Sequence, residues 1–262
     1  MHGYSALLER RILGHTDLAV SLLGLGTVKL GRNIQVKYPA EFTLPDDKAA
    51  AQLLAVARDL GVNLIDTAPA YGTSESRLGK LLTGQRQDWV IATKVGEEFD
   101  GTASHFDFSP QHCVHSVERS LQRLDTDYLD LVLIHSDGED EKILHEAGTL
   151  DALQDLKRRG LVRYSGISHK SAHGGYRALQ LGPAAGVDVI MATLNSAHTE
   201  EQQLIADAGE QGVGVLVKKA LASGHGNAAD LHLVAASPGV SSIVVGTTNP
   251  EHLLANATLL SS

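Results

Sequence analysis

The sequence predicts an α/β protein of the (β/α)8 barrel class, a TIM barrel with an N-terminal β-hairpin. Apolar segments of strand length alternate with amphipathic helical segments about eight times along the chain. The apolar segments are nearly continuous runs, which is typical of parallel strands covered on both faces. Eight such units in 262 residues favour a closed barrel over an open sheet, and we expect one domain over residues 1–262.

Composition excludes several classes of function. The chain is 43% hydrophobic and 20% charged, and its net charge of −9 leaves no basic footprint for nucleic acid or for an acidic membrane surface. The single cysteine, Cys113, excludes an internal disulfide and a cysteine-based zinc site. No apolar run reaches the roughly 18 residues of a membrane span, and residues 1–5 begin no signal peptide. We therefore expect a cytoplasmic protein.

The predicted elements follow one another in regular order. The strands are expected at 10–13 and 18–21 (the hairpin), then at 22–27, 62–66, 89–94, 128–135, 162–168, 187–194, 213–218 and 242–246. The helices are expected at 46–60, 74–82, 110–124, 150–159, 176–181, 200–210, 228–236 and 250–260. Residues 99–109 are expected to form a long loop.

Polar residues end most of the predicted strands, and in a barrel these ends converge on one face. Asp66, Lys94 and His135 end three consecutive strands, and Tyr71 lies on the loop after Asp66. Structural ion pairs and capped strand ends are the alternative interpretation. The other strand ends are Gly26-Thr27, Ser168-His169, Asn195, Lys218-Lys219 and Gly246-Thr247.

Six segments together resemble the aldo-keto reductase family over nearly the whole chain. They are Leu-Gly-Leu-Gly-Thr at 23–27, Asn-Leu-Ile-Asp-Thr-Ala-Pro-Ala-Tyr-Gly at 63–72, Ile-Ala-Thr-Lys at 91–94, the segment 116–135, Ser-Gly-Ile-Ser at 165–168, and Val-Val-Gly-Thr-Thr-Asn-Pro-Glu-His at 244–252. The resemblance implies a barrel closed below by a hairpin. It also implies metal-free, reversible hydride transfer between NAD(P)H and an aldehyde or ketone.

By this resemblance, Asp66, Tyr71, Lys94 and His135 match the catalytic tetrad of the family. Each residue type suits its task. An isolated phenol is a sluggish proton donor, and a neighbouring ammonium such as Lys94 stabilises its conjugate base. Asp66 keeps a buried Lys94 charged, and His135 is expected to offer an N–H to the substrate oxygen. We therefore expect Tyr71 to protonate the carbonyl oxygen.

The cofactor is expected to be NADP(H), with NAD(H) possible. By resemblance, Gly246, Thr247 and Thr248 and the following helix start bind the adenosine phosphate, Asn256 contacts adenine and Ser168 contacts the nicotinamide carboxamide, although an ordinary strand–helix turn explains 246–250 as well. No Arg or Lys lies beside this helix start, and His252 is the nearest cation, so we expect a modest preference. The remaining candidate cofactor contacts are Gly26, Thr27, His169, Asn195 and Lys218.

The chain departs from the family pattern at three positions. His169 stands where the family often has Asn, Met191 where Gln is common, and Lys218 where an aromatic residue typically stacks on nicotinamide. The sequence does not reveal how these changes affect nicotinamide binding. It also leaves the physiological substrate and the oligomeric state open.

Two other functions stay open. The chain could be a cofactor-binding regulatory subunit of the same fold with little turnover, or, less favoured, a metal-dependent barrel hydrolase. Histidine pairs with ligand-like spacing occur at His112/His115 and His169/His173. The first pair is interpreted as solvated side chains on the helix 110–124, and we expect no metal.

Overall fold

A computed structural model describes residues 8–36, 41–222 and 228–261. The prediction that no signal peptide precedes the fold falls on residues 1–7 and lies outside the described part. Among the described residues, no helix combines the length and the apolar character needed to cross a membrane.

The strands lie close to the predicted positions. They are β1 (Arg10–Ile12), β2 (Ala19–Ser21), β3 (Leu23–Gly26), β4 (Leu64–Asp66), β5 (Val90–Val95), β6 (Glu97–Phe99), β7 (Ser104–Phe106), β8 (Leu129–His135), β9 (Val162–Ser168), β10 (Val189–Thr193), β11 (Gly214–Lys218) and β12 (Ser242–Gly246).

The helices are equally close to expectation, with two short ones added. They are α1 (Val28–Gly31), α2 (Asp47–Asp59), α3 (Ser74–Leu81), α4 (Pro110–Leu124), α5 (Asp140–Glu146), α6 (Thr149–Arg158), α7 (Ala172–Leu181), α8 (Gln202–Glu210), α9 (Ala228–Ala236) and α10 (Pro250–Leu260). A 3₁₀ turn, Pro69–Tyr71, follows β4.

Eight parallel strands close into a barrel in the order β10-β11-β12-β3-β4-β5-β8-β9. Strand register brings the predicted site to one rim. Gly26 pairs with Asp66 on one side and with Gly246 on the other, and His135 pairs with Ser168. The predicted barrel with its N-terminal hairpin is confirmed, because β1 and β2 pair in antiparallel fashion outside the closed sheet.

The core has two layers, as expected for a barrel wrapped by helices. Alternate strand residues such as Leu64, Leu131 and Leu216 fill the barrel interior. The hairpin residues Leu13 and Leu18 pack into the same cluster and close its lower end. A larger cluster lies between the outer faces of the strands and the helices. The polar residues at the C-terminal ends of the strands therefore lie above a packed apolar barrel interior.

One prediction of irregular structure was wrong, and two short helices were not predicted. The expected long loop at 99–109 contains the strand β7, which pairs with β6 in a hairpin that puts Glu97 opposite Phe106 and Phe99 opposite Ser104. The helices that were not predicted are α1, after β3, and α5, between β8 and α6. The segments Glu-Glu-Phe and Ser-His-Phe lack the alternating apolar pattern that identifies a strand in sequence. The β6–β7 hairpin matters because it reaches the rim that carries the site.

Candidate active site

The loop that carries Tyr71 is fixed by contacts between the ends of β3 and β4 and the start of α3. Thr27 donates its backbone N–H and its hydroxyl to the Asp66 carbonyl oxygen, at 2.9 and 2.8 Å. Ser74 donates its hydroxyl to Thr27 Oγ1 at 2.9 Å. Gly31 also has to be glycine, since a Cβ there would lie 2.3 Å from the Tyr71 carbonyl oxygen. The position of the phenol is therefore set by backbone packing.

Asp66, Tyr71 and Lys94 form one hydrogen-bonded cluster. Lys94 Nζ lies 2.5 Å from Asp66 Oδ1 and 3.2 Å from the Tyr71 hydroxyl oxygen, and it donates to the Thr67 carbonyl oxygen at 2.9 Å. The Tyr71 hydroxyl lies 3.4 Å from Asp66 Oδ2. Lys94 is 1% exposed and Asp66 is 4% exposed. A buried carboxylate thus holds an ammonium against the phenol, which is the arrangement that stabilises a phenolate.

His135 completes the group at the end of β8. Its ring meets the Tyr71 ring edge to face, with 6.3 Å between centroids. Nδ1 is buried and lies 2.9 Å from Glu97 Oε2, in a contact bent away from the ring N–H direction. Burial lowers the pKa of His135, and the charge of Lys94 acts in the same direction, whereas Glu97 opposes both. Sequence reasoning did not identify Glu97, which β6 brings to the rim.

Glu97 has partners on its other oxygen. Ser104 donates its hydroxyl to Glu97 Oε1 at 2.7 Å, and Arg32 Nη1 lies 3.8 Å from the same oxygen. Burial would raise the pKa of Glu97, but the His135 contact, the Ser104 hydroxyl and the Arg32 charge outweigh it and lower the pKa to about 2. Glu97 is therefore an ionised, acceptor-only carboxylate in the neutral range.

Arg32 is also buried and fixed by several contacts. Its guanidinium is 7% exposed, stacks 3.8 Å from the centroid of the Phe99 ring and donates to the Ala70 carbonyl oxygen at 2.9 Å. Residue 32 lies in the connection after α1, where no sequence pattern distinguishes a buried arginine from an exposed one. It was missed for that reason.

These residues surround a cavity of about 650 Å³ at the rim, within the size range of small-molecule sites. All four predicted tetrad residues line it, as do five predicted cofactor contacts, Gly26, Thr27, Ser168, Lys218 and Gly246. Its charged lining is mainly basic, although the whole chain carries a net charge of −9. The charged residues of the lining are Lys29, Arg32, Asp66, Lys94, Glu97, Lys170, Lys218 and Lys219.

Lys218 occupies the wall of the cavity next to Ser168. Its ammonium donates to Ser168 Oγ at 3.0 Å and also to the His169 carbonyl oxygen. Burial lowers its pKa to about 7, with the charges of Lys219 and Lys94 acting in the same direction and Glu201 opposing them. The residue that replaces the family aromatic is thus a half-buried amine attached to the predicted carboxamide contact.

His169 points away from the cavity. It is fully buried, and neither ring nitrogen has a hydrogen-bond partner among the described residues, although Nδ1 lies 3.7 Å from Glu201 Oε1. Burial lowers its pKa to about 3, aided by the charge of Lys218. A side chain in this position cannot act as the family Asn does without moving. Met191, the other departure, lines the cavity floor from β10.

The other predicted cofactor contacts also lie outside the cavity lining. Asn195 is buried and donates to the Lys219 carbonyl oxygen at 2.9 Å. Thr247 accepts the Asn249 N–H at 3.1 Å. Thr248 and Asn256 are half-buried near the start and along α10, and His252 is exposed in its first turn. Thr247, Thr248 and His252 lie around the N-terminus of α10, next in the chain to Gly246 at the cavity edge, whereas Asn256 is farther along the helix and Asn195 lies against Lys219.

Within the described ranges, no three His, Cys, Asp or Glu side chains are arranged to hold a metal ion. His115 is exposed, as expected. The interpretation of His112 as solvated was wrong, because its side chain is 17% exposed and lies 3.3 Å from Glu98 Oε1. His173 is exposed and pairs with Glu141 at 3.2 Å.

Comparison with known proteins places this chain in a family. A model of the aldo/keto reductase family matches residues 22–232. The chain belongs to the aldo/keto reductase family. Members of this family are oxidoreductases that act on small carbonyl compounds and generally use a nicotinamide cofactor.

Solved structures agree over nearly the whole chain. An aldo-keto reductase structure from Pseudomonas aeruginosa is 51% identical, has a TM-score of 0.89 and covers 98% of this chain and 97% of that chain. The holo form of an aldo-keto reductase from Bacillus halodurans is 27% identical, with a TM-score of 0.83 and coverage of 97% and 91%.

Curated relatives are longer than this chain. L-galactose dehydrogenase of Arabidopsis thaliana is 35% identical over 83% of this chain and 66% of its own length. NADH-specific methylglyoxal reductase of Escherichia coli is 30% identical over 81% of this chain and 67% of its own. Against the first three such relatives, the chain spans about half to two thirds of their length.

Proposed function

We propose that this protein reduces an aldehyde or ketone to an alcohol with NAD(P)H, and that Tyr71 donates the proton. The observation that carries the proposal is the Asp66–Lys94–Tyr71 cluster opening, beside His135, into a basic cavity. Lys94 is positioned to stabilise the phenolate that remains after the proton leaves, and Asp66 keeps Lys94 charged. This set of groups can deliver a proton to a carbonyl oxygen without a metal ion.

The residues present fit a nicotinamide dinucleotide. Gly26 and Gly246 contribute only backbone to the cavity lining, which also contains Lys218 and Lys219. The N-terminus of α10, an 11-residue helix, favours an anion through the helix dipole, although Pro250 has no N–H and the Glu251 N–H is capped by Asn249 Oδ1 at 2.8 Å. When bound, the cofactor supplies hydride to the carbonyl carbon. Ser168 and Lys218 are the groups we propose to hold its nicotinamide end.

NADP(H) is the proposed cofactor, and NAD(H) is the alternative. The predicted phosphate contacts, Thr247 and Thr248, are neutral, and His252 is exposed and able to approach a phosphate from the first turn of α10. One relative is named an NADH-specific methylglyoxal reductase, which supports keeping NAD(H) as the alternative. We propose a cytoplasmic location, supported by the single cysteine of the chain.

Turnover on a panel of carbonyl compounds tests the proposal. Purified protein should oxidise NADPH or NADH when given an activated aldehyde, methylglyoxal or an aldose, with EDTA present throughout. Cofactor binding without turnover on any substrate would favour the regulatory subunit. Activity that EDTA abolishes and zinc restores would favour the metal-dependent hydrolase.

A further inference from the structure

One ring nitrogen of His135 contacts the ionised carboxylate of Glu97, and the opposite edge of the ring faces the cavity. Nδ1 is buried 2.9 Å from Glu97 Oε2, while the side chain as a whole lines the cavity and is 19% exposed. The exposed edge of the ring therefore carries Nε2. An ionised carboxylate repels a nitrogen lone pair and attracts a proton, so even in this bent contact the nitrogen 2.9 Å from Oε2 is the one that keeps its proton.

We propose that Glu97 is a positioning residue that holds neutral His135 as the tautomer protonated on Nδ1. Nε2 then presents a lone pair to the reacting oxygen, and His135 becomes a donor to a carbonyl only after it is protonated to imidazolium. This assignment reverses the sequence-based expectation that neutral His135 offers an N–H to the substrate. The tautomer itself does not depend on the proposed function, whereas its kinetic consequence rests on proposed carbonyl reduction.

The surroundings of Glu97 show why its charge is retained. Ser104 donates to Oε1 at 2.7 Å, Arg32 lies 3.8 Å from the same oxygen, and Arg32 in turn donates to Ser104 Oγ at 3.2 Å. Oε1 is thus directed at donors and Oε2 at His135. The two oxygens have different partners, so an amide in place of the carboxylate has a preferred orientation.

Glu97→Gln tests the tautomer, because the two oxygens of Glu97 have different partners. The amide oxygen would take the place of Oε1, because Ser104 and Arg32 are donors, and the amide NH₂ would then face His135 Nδ1. A donor at that position requires an unprotonated Nδ1, which moves the proton of the neutral ring to Nε2. The expected result is a tautomer switch with little change in shape.

Glu98 offers a matched control on the same strand. It faces away from the cavity, where it pairs with Arg119 and lies 3.1 Å from Ser116 Oγ. Glu98→Gln therefore removes an equal charge from the β6–β7 hairpin and leaves Glu97 and His135 untouched.

The direct test is two-bond ¹⁵N–¹H correlation spectroscopy on protein labelled with ¹⁵N-histidine. His135→Asn identifies the His135 signals among those of the 13 histidines. At pH 7.5, the unsubstituted protein and Glu98→Gln should show protonated Nδ1 and bare Nε2, and Glu97→Gln should show the reverse. A protonated Nε2 in the unsubstituted protein would overturn the proposal, and this measurement needs no variant of Glu97 to fold.

The pH profile of reduction gives a second readout. The charged groups facing His135 are Glu97, Lys94 and Lys218. As pH rises through the lowered pKa of His135, kcat/KM for the carbonyl should fall by about 10-fold, the value of a hydrogen bond to developing charge. Glu98→Gln should keep this descending limb and Glu97→Gln should lose it. Lys218 is common to all three proteins, so the test is the difference between the two variants: descending limbs of equal size in Glu97→Gln and Glu98→Gln contradict the proposal.

Discussion

Lys94 Nζ and Asp66 Oδ1 are 2.5 Å apart, in a pair of side chains that are 1% and 4% exposed. Few charged groups are buried so completely unless each compensates the other, because removing a charge from water costs several kcal/mol. The pair is therefore both part of the proposed chemistry and an obligate element of the fold.

Lys94→Met should destabilise the protein by about 3–5 kcal/mol, because it leaves the carboxylate of Asp66 buried without its cation. The measurement is the free energy of unfolding in urea. Lys80→Met is the control, since Lys80 is exposed on α3 and its loss should cost less than about 0.5 kcal/mol. Adding Asp66→Asn to Lys94→Met should recover part of the stability. If Lys94→Met is as stable as Lys80→Met, the Lys94–Asp66 pair is solvated in solution.

Tyr71→Phe should lower kcat for carbonyl reduction by about 10²–10⁴-fold and leave the dissociation constant of NAD(P)H almost unchanged. The phenol is needed only while the proton moves, so its loss affects turnover more than binding. Stopped-flow turnover and fluorescence titration of the cofactor measure the two quantities.

The matching control for that variant is Tyr128→Phe. Tyr128 precedes β8, at the end of the barrel opposite the cavity, and its ring packs on Arg86. It should keep full activity. Retention of full turnover by Tyr71→Phe would rule out Tyr71 as the acid.

Lys218→Met should stabilise the protein, and more so at low pH. The pKa of Lys218 is lowered to about 7 in the folded state by burial, below the value near 10.4 of an unfolded lysine. The unfolded state therefore binds the extra proton between these pH values, and stability rises with pH across that window. Below pH 7 the buried ammonium imposes its full cost, which the substitution removes.

We expect a gain of about 1–3 kcal/mol at pH 6, reduced by the lost bonds to Ser168 and His169, and a smaller gain near pH 9.5. Urea unfolding at the two pH values measures the difference. Lys219→Met, at the exposed neighbouring position, should show no such pH dependence. A gain that is identical at both pH values would indicate that Lys218 keeps its charge throughout.

The preference for NADPH over NADH should be modest and should grow as pH falls. His252 is the expected cation near the start of α10, and it lacks the permanent, bidentate contact of an arginine. The test is the dissociation constant of each cofactor between about pH 5.5 and 8.5, repeated with His252→Gln. A strong preference that ignores both pH and this substitution would assign the 2′-phosphate to another cation. The loop after Lys219 is the next candidate to supply that cation, and its residues 223–227 lie outside the described part of the chain.

Local patterns were sufficient for the fold and for the four residues of the proposed tetrad. Each barrel strand is an apolar run, so its period and its ends can be located without knowing its neighbours. Once eight parallel runs close into a barrel, the residues after Ile65, Thr93 and Ile134 necessarily meet on one rim. Covalent order and closure alone bring Asp66, Lys94 and His135 together.

The tertiary structure decided which charges act on that rim. Glu97 and Arg32 lie in short connections whose direction depends on the β6–β7 hairpin and on Phe99, partners that no local pattern specifies. The orientation of His169 was equally hidden, because a residue one position beyond a strand can face the cavity or the helices. Side-chain direction after a strand end is set by packing against distant elements, and only the assembled barrel contains that information.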